Sequence, residues 1–133
     1  MSLTATLASH PTHPAETALA RFLLDHAEAL TSASALLGGR PAARRTARLL
    51  EALPDAPHLN PRLRREVVEL HRLLALDRVS DPESLEAACF AQIDPASSAA
   101  EEICVLTDVL REHLITLARA ESSEPTWKDI AAA

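Results

Sequence analysis

Leucines and other aliphatic residues recur along this chain at alternating steps of four and three, and that interval leaves little choice of fold. Leu19, Leu23, His26, Leu30, Ala33 and Leu37 follow it, as do Leu63, Val67, Leu70 and Leu74, and again Ile103, Leu106, Leu110, Leu114 and Leu117. Such steps gather side chains on one face of an α-helix, whereas a half-buried strand alternates at every second residue. The hydrophobic residues, 47% of the chain, are mostly Leu and Ala; there is no Tyr, one Trp, two Phe and only two Gly. Strand-favouring residues are therefore scarce, and the interior must be built from aliphatic chains interdigitating between helices.

Prolines fence the stripes. Proline suits the first helical position, where its missing N–H costs nothing, and disrupts positions further in. Pro14, Pro41, Pro61, Pro82 and Pro95 accordingly mark five helix starts, three of them behind Asn60, Asp81 or Asp94 as N-cap residues. Ser98 and Glu101 offer an alternative capping box for the fifth helix, and the Gly38-Gly39 pair is expected to end the first with a left-handed residue. The prediction is an all-α, up-down bundle of helices over approximately 14–38, 41–53, 61–78, 82–93 and 96–120, forming one domain from residue 13 to residue 120. The Pro-rich stretch 54–61 should be loop, and residues 1–12 and 121–133, which lack periodicity, should be loosely held tails. Leu24, Leu36, Leu73, Val105 and Val109 widen the stripes, so either these helices are central or a partner covers them.

The formal charge of −6 disfavours a general nucleic-acid or membrane-surface role, since both need an extended positive field. Charge is nevertheless segregated. Residues 40–72 hold eight Arg against four acids, and residues 73–133 hold twelve acids against four cations. Arg44, Arg45 and Arg48 on the second helix and Arg62 and Arg65 at the start of the third form the candidate interaction set, together with Trp127 in the second tail. A helix-loop-helix so armed can lay guanidiniums on phosphates, but the connection is long and no aromatics are interleaved for stacking. Pairing with the acidic half of the fold, or with an acidic protein, fits the net charge better.

Catalytic signatures are missing. The only glycines are adjacent, so the sequence has no phosphate loop, dinucleotide fingerprint or nucleophile elbow, and no His-Glu-x-x-His motif occurs. Acidic pairs such as Glu66/Glu69 and Asp108/Glu112 read as solvated helix faces. Cys89 and Cys104 lack metal or redox spacing and read as small buried hydrophobes. His26, His71 and His113 lie on or beside the stripes of helices one, three and five. If those helices run parallel, the three imidazoles reach similar heights and offer a buried metal or haem site. With no accompanying Glu or Cys pattern, three separate boundary histidines is the simpler reading, and no cofactor or metal is expected. A phosphotransfer histidine would want a Lys three residues on, where Ala29, Leu74 and Thr116 stand instead. No membrane span or leader is read, so the expectation is a cytoplasmic, non-enzymatic interaction or regulatory module that binds a protein or itself as a homodimer, with nucleic acid unlikely.

Overall fold

A computed structural model of the chain describes residues 14–55 and 58–123. Within them the protein is all-α. The helices are α1 (Pro14–Asp25), α2 (Ala27–Ala52), α3 (Pro61–Leu74), α4 (Leu85–Phe90) and α5 (Ser98–Ser123), with a single 3-10 turn at Leu53–Asp55. That turn takes up the start of the Pro-rich stretch expected to be loop. The tail 1–12, most of the tail 121–133 and Trp127 lie outside the described residues.

Two bends give the first half its shape. The expected first helix over 14–38 is broken at His26, whose backbone leaves helical geometry (φ −111°, ψ 25°). Both the backbone N–H of His26 and its Nδ1 approach the Phe22 carbonyl, at 3.1 and 3.0 Å. One carbonyl serving two groups tilts the next turn. At Gly39 the bend is sharper: φ 72° and ψ −164° lie in a region open essentially to Gly alone, not in the left-handed helical region expected of a C′ residue. The two arms of α2, residues 27–38 and 40–52, fold back on each other about this point. Gly38 is needed for a different reason, since a Cβ there would lie 2.6 Å from the Ala42 Cβ and 3.2 Å from Leu73 Cδ1.

Registers fix the remaining directions. Arg45 meets Glu66 across α2 and α3. Thr107 Oγ1 donates to the Leu74 carbonyl at 3.1 Å, while Arg64 pairs with Glu121, so position rises along α3 as it falls along α5 and the two are antiparallel. α5 also packs along α1 and barely touches α2. The long rods are thus α1 with the first arm of α2, the second arm, α3 and α5, in up-down-up-down order. The expected parallel alignment of helices one, three and five is overturned, because α4 is a six-residue segment across the end of the bundle and not a full rod. α4 packs on α2, with Leu85 over Gly39, and contributes no buried residue.

The predicted stripes form one core. Leu19, Leu23, Leu30, Leu37, Val67, Leu74 and Leu110 are essentially sealed from solvent, with Leu49, Leu70, Ile103, Leu106 and Leu117 around them. Full burial of such side chains contributes roughly 1.5–3 kcal/mol each. One buried charge interrupts the apolar interior. Glu16, 7% exposed, accepts from the Leu59 N–H at 3.4 Å and from Arg64 at 3.3 Å, and Arg64 reaches on to Glu121, so one guanidinium ties α1, α3 and α5 together.

Helix ends depart from expectation where turn chemistry intervenes. Asn60 caps α3 as predicted, its side chain accepting from the Leu63 N–H at 2.8 Å. Asp81 and Asp94 do not cap. Each opens an Asp-Pro-x-Ser turn in which its carboxylate accepts from the N–H two residues on, at 3.1 and 3.0 Å, and the Ser at the end becomes the cap. Ser84 thereby starts α4 and Ser97 starts α5, accepting from the Ala87 and Ala100 N–H groups at 3.0 and 3.2 Å. α3 ends at Leu74, four residues earlier than expected, in a Schellman motif whose C′ residue is Leu76 with φ 64°. The Asp77 and Leu76 N–H groups close it onto the Arg72 and Leu73 carbonyls at 3.0 and 3.1 Å.

Candidate interaction site

The helical histidines do not assemble into one site. His26 and His113 both contact the Phe22 ring, at centroid distances of 4.7 and 5.1 Å, so a single aromatic side chain accounts for two of them. His71 lies on α3 near Arg111 and Asp77; its Nε2 is buried without a hydrogen-bond partner, and burial followed by the Arg111 charge holds its pKa below the ordinary value. Among the described residues no group of three or more His, Cys, Asp or Glu side chains is placed to hold a metal ion.

The predicted arginines do come together. The second arm of α2 and the start of α3 flank an open groove lined by Arg45, Arg48, Arg62 and the exposed Ala52, with the buried Leu49 and Leu63 at its base. Arg44 and Arg65 stand one turn from Arg48 and Arg62 along their helices but outside the groove, whose lining also holds Asp55 and Glu66. Arg45 differs from the other four. It holds Glu66 in a two-point fork, Nε to Oε1 at 2.6 Å and Nη2 to Oε2 at 3.0 Å, which lowers the Glu66 pKa chiefly through the hydrogen bond, with Arg62 and Arg65 adding to the effect. Arg44, Arg48, Arg62 and Arg65 are exposed, and among the described residues none of them forms an ion pair. Among the described residues, the expected pairing of this basic segment with the acidic half is seen for Arg64 with Glu121 and Arg72 with Asp77.

The opposite charge gathers on α5. Glu101, Val105, Asp108 and Glu112 follow steps of four, three and four on the side away from the buried Ile103, Leu106 and Leu110, and all four are exposed, Val105 by 57%. Arg111 offsets part of this charge by pairing with Asp108 at 3.0 Å. Cys104 lies beside this face and is exposed, and Cys89 is half-buried, so neither is the buried hydrophobe expected; α5 buries only the stripe that meets α1 and α3.

Known proteins supply no match. No protein-family model, curated protein or solved structure resembles this chain.

Leu24, Leu36, Val105 and Val109, which widen the sequence stripes, are all on the surface. No described helix is long and apolar enough to cross a membrane. Sequence reasoning read Asp108 and Glu112 as a solvated face and missed the longer acidic face that they form with Glu101 on α5. Its signal was present in the 101-105-108-112 spacing, which carries a second, charged period on a helix already assigned an apolar one.

Proposed function

We propose that the protein is a non-enzymatic interaction module whose groove between the second arm of α2 and α3 receives an acidic, partly apolar helical segment of a protein. The observation that carries this reading is the pair of exposed groove arginines, Arg48 and Arg62, that form no ion pair among the described residues, with Arg44 and Arg65 exposed and likewise unpaired on the same two helices. Guanidiniums left unpaired beside an apolar surface suit a ligand that brings carboxylates at its rim and aliphatic side chains at its centre. An open groove whose lining includes the carboxylates of Asp55 and Glu66, the latter held in the Arg45 fork, suits a helix better than the continuous phosphates of a duplex.

Photo-crosslinking from the groove tests this. A photoreactive amino acid in place of His58, an exposed residue of the groove lining, should capture protein segments whose sequenced peptides are acidic and of helical periodicity. The same capture should be lost when Arg48→Glu and Arg62→Glu are added. Crosslinks dominated by nucleic acid, or peptides unchanged by the charge reversal, overturn the reading.

A further inference from the structure

The groove reading leaves its occupant open, and the molecule carries a fitting one. We infer that a second copy of this chain docks there through the outer face of its own α5, giving head-to-tail self-association. The inference rests on the groove being a docking site.

Complementarity of charge carries it. The groove presents exposed Arg48 and Arg62 beside exposed Ala52, over the buried Leu49 and Leu63, and Arg44 and Arg65 stand exposed outside it on the same two helices. The α5 face presents Glu101, Asp108 and Glu112 around Val105 and Val109, which remain 57% and 37% exposed. Glu101 and Glu112 thus face Arg48 and Arg62 while the valines meet Ala52, the arrangement of a polar rim around a small apolar centre. Like charge on the two surfaces would forbid the contact, and within one molecule they cannot meet. α5 packs on α1 and α3 and barely touches α2, so its outer face and the α2/α3 groove point to different sides of the bundle. Two unlike patches on different sides of one molecule give a heterologous contact, which leaves one groove and one α5 face free at the ends of any open assembly.

Sedimentation velocity on three versions of the chain decides the matter. The wild type should associate with rising concentration and fall apart as salt rises from about 50 mM to about 500 mM, where charges are screened within a few ångströms. A groove-reversed variant (Arg48→Glu, Arg62→Glu) and a face-reversed variant (Glu101→Arg, Glu112→Arg) should each lose association by at least about tenfold. Mixing the two should restore it, because the acidic α5 face of the first meets the basic groove of the second, and the basic face of the second meets the acidic groove of the first. All four substitutions replace exposed residues, and unchanged circular dichroism verifies the fold. A wild type that stays monomeric at low salt, or a mixture that stays monomeric while the wild type associates, overturns the inference. A monomeric chain that still crosslinks from its groove to an acidic helix of another protein overturns self-docking alone and leaves the groove reading in place.

Discussion

Ser34 and Thr46 stand hydroxyl to hydroxyl at 2.7 Å although they belong to the same helix twelve residues apart. A straight helix would hold them about 18 Å apart. Both are buried. The Ser34 proton goes to the Leu30 carbonyl at 2.8 Å, so Thr46 supplies the proton that joins the two arms. A sealed polar pair at the waist of the α2 hairpin fixes how the arms face each other, a task that the leucines around it, being non-directional, perform less strictly.

Removing both hydroxyls should therefore cost less than the two single removals added together. Ser34→Ala leaves the Thr46 hydroxyl buried without its acceptor and should destabilise by roughly 1–3 kcal/mol. Thr46→Val, which keeps the shape, should do the same or less. The double variant should fall clearly short of the sum of the two in urea unfolding, and strict additivity would show that the hydroxyls act independently.

At the tip of that hairpin, Gly39→Ala forces a side chain into a backbone conformation that L residues avoid, at a cost of about 1–3 kcal/mol. Gly38→Ala should be comparably damaging for a steric reason, because the new methyl would lie 2.6 Å from the Ala42 Cβ. Shaving the neighbour separates the two mechanisms. Ala42→Gly should rescue part of the Gly38→Ala loss in thermal melts and none of the Gly39→Ala loss.

His71 makes stability depend on pH. Burial, followed by the nearby Arg111 charge and opposed by Asp77, holds its pKa below the ordinary 6.5. The unfolded chain then takes up the proton first as pH falls, so the fold loses stability from about pH 6.5 downward and stops losing it through this group once the folded ring is also protonated. His71→Gln should flatten the difference between the urea midpoints at pH 7 and pH 5 relative to wild type. Parallel profiles for the two proteins would remove His71 as the source.

The start of α5 separates two neighbouring serines. Ser97 accepts the Ala100 N–H, so Ser97→Ala should cost roughly 0.5–2 kcal/mol, while Ser98→Ala, one residue inside the helix, should change stability little. Equal effects in chemical denaturation would return Ser98 to the capping role.

Most of the core was legible in the sequence because burial leaves a period that any reader can count: Leu19, Leu23, Leu30 and Leu37 are where the four-three steps put them. Helix ends were legible only where one local device dominated, as at Asn60. Asp81 and Asp94 looked like caps because Asp before Pro satisfies the same preference, yet each spends its carboxylate on a turn and leaves the cap to the Ser three residues on. The early end of α3 carried no signal of glycine, since Leu76 takes the left-handed position and packs against the core all the same. The bend at His26 depends on a side chain reaching back four residues, which no periodicity records. For the candidate site, the arginine cluster was visible as composition. That four of its members form no ion pair among the described residues was not, because pairing across the fold depends on the direction of α5, which the short α4 reverses.

No side chain of α4 enters the interior, although the segment covers the sharpest bend in the chain. A segment that buries none of its own side chains has little to hold it shut, so amide protons at 85–90 should exchange with solvent far sooner than those of α3 or α5.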